Sequence, residues 1–203
     1  MTSLLDLSHL KTFEEMRQLD SDAFAINGKG TWGFLPPTEE VFKVFRDIND
    51  NYKVTKILEI GFNAGHSTTY LLETFKDAVV HTIGPNPQHN MQNVMRKKYD
   101  NRFRFFKGFT ETVRFDLDND YDFAFVDGSH KSPQVNIDLH VVCNQLKIPL
   151  VLMDNCDQSG VKRVVYNKYV SRDKILEFNK NWTYEMTWHG KTKVNDLALF
   201  IRK

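Results

Sequence analysis

From Val54 onward, short apolar runs alternate with longer amphipathic stretches. The run VTKILEI at 54–60 predicts a buried strand, GFNAGHS at 61–67 a loop and TTYLLETF at 68–75 a helix. AVVHTI at 78–83 predicts a second strand that stops at the turn-prone GPNP, and HNMQNVMRKKY at 89–99 carries helical spacing. RFRFFKG at 102–108 predicts a third strand, whose alternation puts Phe103 and Phe105 on a core face and Arg102 and Arg104 on the other. YDFAFVDG at 121–128 is a fourth. PQVNIDLHVVCNQL at 133–146 then predicts a helix entered through Ser132 and Pro133, a capping residue followed by proline. IPLVLMDN at 148–155 predicts a fifth strand and VKRVVYNKYV at 161–170 a further helix.

The tail changes pattern. NWTYEMTWH at 181–189 and DLALFIRK at 196–203 are strand-like runs joined by the turn-like GKTKVN, which predicts an antiparallel hairpin. Residues 1 to about 50 predict one or two helices, with KGTWGFLPPTEE at 29–40 as a loop in which Trp32, Phe34, Pro36 and Pro37 serve as a lid or as packing. Strands alternating with helices imply an α/β fold: a mostly parallel sheet, right-handed crossovers, helices on both faces and an antiparallel hairpin at the C-terminal end. No repeat or linker divides the chain. The expected organisation is one domain over 1–203, with a helical or lid segment at 1–50 and the core at 51–203.

Composition narrows the class. The 203 residues carry 27 Lys plus Arg against 26 Asp plus Glu, a formal charge of +1, which argues against a broad basic field for nucleic acid or an anionic membrane. A hydrophobic fraction of 41% with only 10 Gly and 6 Pro excludes a disordered or fibrous chain. No run approaches the roughly 18 apolar residues that span a bilayer. The opening MTSLLDLSHLKTFEEMRQ lacks a basic start and an apolar run. Cys143 and Cys156 form no CxxC pair and read as packing residues. The expectation is a cytoplasmic protein with neither nucleic-acid nor membrane partners.

ILEIGFNAGHST places Glu59 at the end of the first strand, Gly61 at the turn and Gly65 where the next helix begins. Glycine permits positive φ and close backbone approach, and a helix N-terminus offers unpaired amides, so the loop suits a nucleotide or anionic ligand. With E-x-G-x-x-x-G in this place, the chain resembles the class I S-adenosylmethionine-dependent methyltransferases. The resemblance covers about 54 to 203 and continues through YDFAFVDGSH and VLMDN in the family's order. It implies a Rossmann-like fold and S-adenosylmethionine as cofactor. Gly61 to Gly65 would pass beside the methionine part, Ser67 would meet its carboxylate, and the adenosine would lie towards Asn86 and the Gly108 to Thr110 turn. The implied cofactor residues are Glu59, Gly61, Asn63, Gly65, Ser67, Asn86, Thr110 and Asp127. The family's ribose-binding acid at the second strand's end is here Gly84, with Asn86 as a neutral substitute. The same gap, and the lack of G-x-G-x-x-G, count against a nicotinamide dehydrogenase.

Ligands of parallel α/β sheets collect outside the strands' carboxyl ends, and Asp127, Asp154 and Asn155 end the fourth and fifth strands. Two carboxylates and an amide oxygen are hard ligands suited to Mg²⁺ or another divalent cation. The trio looks like that of the catechol and caffeoyl-coenzyme A O-methyltransferases, and residue by residue it matches their metal ligands. DGSH is closer to a small-methyltransferase and cephalosporin-hydroxylase-like branch. His130 is the better general base, because its ordinary pKa lies near neutrality, whereas Lys131 would need strong desolvation. The resulting expectation is methyl transfer to an oxygen of a small molecule, with a divalent metal assisting and a homodimer allowed for. The alternative is a methyltransferase-fold protein that binds, scaffolds or performs other chemistry such as hydroxylation or hydrolysis.

Overall fold

A computed structural model describes Leu35 and residues 38–170, 175–188 and 191–203; Trp32, Phe34, Pro36 and Pro37 lie outside the described residues. The elements are α1 (Glu39–Asn51), β1 (Lys56–Ile60), α2 (His66–Thr74), β2 (Val79–Gly84), α3 (Met91–Tyr99), β3 (Phe103–Lys107), α4 (Thr110–Val113), β4 (Phe123–Val126), α5 (Ser132–Leu139), β5 (Leu150–Asp154), α6 (Ser159–Val164), β6 (Leu176–Trp188) and β7 (Lys191–Arg202). Helices α5 and α6 each run on into a wider π-type turn, at His140–Gln145 and Val165–Tyr169. Seven strands form one sheet in the order β3-β2-β1-β4-β5-β7-β6. The first five are parallel, and β7 lies antiparallel to both β5 and β6. This is the expected α/β architecture with its terminal hairpin.

The central strands read as nearly unbroken apolar runs because both faces are covered. Ile57, Val80, Phe103, Phe105, Phe123, Phe125 and Leu152 pack beneath α1, α2 and α3. Leu58, Ile60, Ala124, Val126, Val151 and Met153 pack beneath α5 and α6. Within the segment expected as helix or lid, α1 is core: Val41, Phe42, Val44, Phe45 and Ile48 are buried at helical spacing, and the Thr38 hydroxyl accepts from Val41 N at the cap. Arg104 is exposed on β3, as alternation requires, while Arg102 donates to the carbonyls of Leu72, Phe75 and Ala78 and so closes the end of α2. Among the described residues no helix is long and apolar enough to cross a membrane.

Strand order reverses between β1 and β4, and the crevice at such a switch point is where these sheets place ligands. The loops leaving β1, β2, β3 and β4 all open there.

Candidate functional site

The crevice holds a cavity of about 360 Å³ lined by the β1 loop (Gly61, Phe62, Asn63), the β2 loop (Gly84, Pro85, Asn86), the β3 loop (Gly108, Phe109, Thr110) and the β4 loop (Asp127, Gly128, Ser129). Its volume falls in the range of small-molecule and cofactor sites. Gly61 holds the loops together: its φ is +116°, and a Cβ there would stand 2.0 Å from the Asp127 carbonyl oxygen. Substituting Gly61 would therefore push on β4 and displace Asp127, a more drastic effect than blocking a ligand. Asn63 ties the first two loops, accepting from the Gln88 side chain while its carbonyl accepts from Gln88 N at 2.9 Å.

Five of the residues implied by the resemblance line this cavity: Gly61, Asn63, Asn86, Thr110 and Asp127. Glu59, Gly65 and Ser67 do not. Glu59 is fully buried, accepting from Ser67 Oγ at 2.5 Å and from the Thr68 hydroxyl, so it braces α2 against β1 from inside. Burial pushes its carboxyl up to about 7 against the opposing pull of those hydroxyls. Ser67, expected to meet a cofactor carboxylate, has its hydroxyl on Glu59 in this structure. Gly65, with φ +81°, forms the turn into α2 and packs on the Phe62 ring. Phe62 also explains the missing acid at the end of β2, since a Cβ on Gly84 would start 3.0 Å from Phe62 Cβ. Its ring sits against Phe103 and Phe105.

Beside the cavity, the ends of β4 and β5 bring two acids together. The carboxyls of Asp127 and Asp154 interact, and burial pushes both above the usual carboxylate range; the Asp127 charge adds to the rise at Asp154, whereas at Asp127 the Glu59 charge adds to it and the Asp154 contact opposes it. Tyr184 on β6 donates to Asp154 Oδ1 at 2.8 Å. Asn155 does not join the acids: its Nδ2 donates to the Tyr184 oxygen at 3.3 Å and its Oδ1 accepts from Gln158 Nε2 at 2.5 Å. The predicted trio is thus a pair, with Asn155 turned into a hydrogen-bond chain behind it. Among the described residues no group of three or more His, Cys, Asp or Glu is placed to hold a metal ion.

His130 stands over the pair with Nε2 3.8 Å from Asp127 Oδ1, its side chain 40% exposed. Partial desolvation lowers its pKa and Lys193 lowers it further, while Asp154, Gln158 and Asp157 pull the other way, so the ring is neutral near pH 7. Lys131 is exposed on the same loop. The loop is pinned from behind: Ser132 Oγ donates to the Gly160 carbonyl at 3.1 Å, and Arg163 donates to Ser132 Oγ at 2.8 Å.

Residues 58–155, from β1 through β5, match the family described as methyltransferase domain. The match falls on the strands and loops that build the crevice. Its fold is similar to that of an O-methyltransferase from Bacillus cereus solved in complex with SAH, at 13% identity and TM-score 0.67, over 93% of this chain and 91% of that one. It is also similar to the O-methyltransferase TomG from Streptomyces achromogenes, solved with SAM, at 15% identity and TM-score 0.64 over 94% and 90%. SAH-bound PaMTH1 from Podospora anserina gives 15% identity and TM-score 0.62 over the whole of both chains. No curated protein matches the sequence. Sequence reasoning reached Phe109 only as part of the Gly108 to Thr110 turn, and did not find Gln134 and Asp138 in this crevice, nor Tyr184 and Gln158 behind the acids. Asp138 did leave a signal, an acid at helical spacing among Val135, Leu139 and Val142.

Proposed function

We propose that the protein transfers the methyl group of S-adenosylmethionine to a hydroxyl oxygen of a small molecule, with His130 as the general base. The observation that carries this reading is the adjacency of two things: a cavity at the sheet's switch point, and the His130 imidazole over the Asp127–Asp154 pair at its rim. The cavity suits the cofactor in having glycine-lined backbone at Gly61 and Gly128, an aromatic ring at Phe109, which is 52% exposed, and polar side chains at Asn86 and Gln134. Bound there, the cofactor supplies an electrophilic methyl group. The chain's own residues orient the acceptor and take its proton at His130 Nε2, which turns a hydroxyl into a nucleophile.

Asp127 and Asp154, at the ends of neighbouring strands, are oxygen ligands that would hold a divalent cation such as Mg²⁺. It would acidify a coordinated acceptor hydroxyl. Asn155 would join only by releasing Gln158. Acceptors with adjacent hydroxyls, offered with radiolabelled cofactor, test the reading. His130→Ala is expected to cut turnover about 10²- to 10⁴-fold while cofactor binding persists, and EDTA is expected to lower turnover with recovery on added Mg²⁺. Turnover within about threefold of wild type in the variant would remove His130 from the mechanism; full activity in EDTA would remove the cation.

A further inference from the structure

Helix α5 shows different side chains to its two flanks. Gln134 and Asp138 line the crevice, whereas Ser132 and Asn136, each offset from them by two residues, line a second cavity of about 350 Å³ between α5 and α6. Two residues are about 200° of an α-helix, so this groove lies on the opposite side of α5 from the crevice. Its other wall is α6 with the wide turn that extends it, which contribute Arg163 and Lys168. In a regular helix a residue five positions on stands about 140° round the axis. The turn closed by Val170 N on the Val165 carbonyl at 3.0 Å widens the helix and brings Lys168 back towards the side of Arg163. Each cation is held across the gap by a neutral oxygen: Arg163 donates to Ser132 Oγ at 2.8 Å and Lys168 to Asn136 Oδ1 at 2.9 Å. Among the described residues neither has a carboxylate partner. Nor do the flanking residues supply one. Lys131, Lys162, Arg163 and Lys168 are exposed, and the one acid within 131–147 and 158–170, Asp138, is buried and lines the crevice.

We propose that the groove between α5 and α6 binds the phosphate group of a small phosphorylated ligand, at a site separate from the crevice. A guanidinium and an ammonium on one cavity suit a doubly charged oxyanion, the planar fork taking two oxygens and the point charge another. The bonds to Ser132 and Asn136 fix where both side chains stand and leave each of them further N–H donors. A carboxylate in the same place would cancel the charge; a hydroxyl and an amide oxygen hold the cations without doing so. The volume lies in the range of small-molecule sites and leaves room beyond a bare phosphate, so the ligand is a phosphate ester rather than the free ion. None of the groove's residues lines the crevice, and the proposal stands independently of the methyl-transfer reading.

Titration of the wild-type protein with inorganic phosphate and with glycerol 3-phosphate, at constant ionic strength and followed by backbone amide NMR shifts, tests this. Both probes are expected to bind saturably, the ester at least as tightly as the ion, with shifts concentrated at 132–136 and 163–168 and absent from the Gly61 to Gly65 loop. Arg163→Gln and Lys168→Gln should each weaken the ester about tenfold, the scale of one charge-assisted hydrogen bond. Both side chains are exposed, so the spectra of the unliganded variants should otherwise overlay that of wild type. Lys162→Gln removes the same charge from α6 without touching the groove's lining, and should change the affinity by less than about twofold. Shifts that grow without saturating in the wild type, or equal losses in all three variants, would overturn the site in favour of a diffuse basic field. An ester bound more than about tenfold more weakly than the free ion would overturn the assignment to a phosphorylated ligand.

Discussion

At the scale of single residues, the site is organised by contacts that leave no room for a side chain. Gly160 opens α6 directly behind the His130 loop, and a Cβ at that position would lie 2.3 Å from the His130 carbonyl oxygen. Gly160→Ala must therefore shift either α6 or the base. The expected outcome is a loss of turnover of tenfold or more with S-adenosylhomocysteine affinity within about twofold of wild type, the mark of a displaced group beside an intact cavity. Equal losses in both would mean the whole crevice had moved. Such a role cannot be read from the sequence, since Gly160 matters through a contact with a loop thirty positions earlier. The present partners of Ser67 and Asn155 were hidden for a related reason. Each stands at a family-like position, but its hydrogen-bonding capacity is taken by a neighbour, Glu59 or Gln158, that spacing alone does not reveal.

At the scale of elements, the order of strands and helices was legible because a sheet buried on both faces demands apolar runs and its crossover helices demand one apolar stripe. The hairpin was legible in kind but not in extent. β6 begins at Leu176 and β7 at Lys191, each five residues before the apolar runs at 181 and 196. The mixed stretches 176–180 and 191–195 become strand by pairing with a partner, which adds to their modest intrinsic preference. The segment before β1 was the least legible, because α1 buries a face against residues distant in sequence. Phe45 is fully buried edge-on to Phe125 at a centroid distance of 5.7 Å. Phe45→Ala is expected to cost about 3–5 kcal/mol by urea denaturation; a loss below about 1 kcal/mol would show that α1 docks as a loose lid after all.

At the scale of the whole molecule, Glu59, Asp127, Asp138 and Asp154 all have carboxyls raised by burial, which favours the fold at mildly acid pH. Glu59 has a carboxyl raised from 4.5 to about 7, so between those values the folded protein keeps a proton that the unfolded chain has lost. The associated stability is fully present below about pH 4.5 and is lost as the pH rises through about 7. Asp127 and Asp154, raised for the same reason, act with the same sign. Glu59→Gln should remove the part due to Glu59, about 3 kcal/mol, so melting temperatures should fall less between pH 5 and pH 8 in the variant than in wild type; parallel curves would mean that Glu59 does not hold that proton. The same thermal readout reaches the central claim, that the crevice between β1 and β4 is a cofactor site. Titration of the wild-type protein with S-adenosylhomocysteine should give saturable one-to-one binding, and at about 100 times the dissociation constant the ligand should stabilise the fold by about 2.7 kcal/mol. No binding heat and an unmoved melting temperature at millimolar ligand would contradict it.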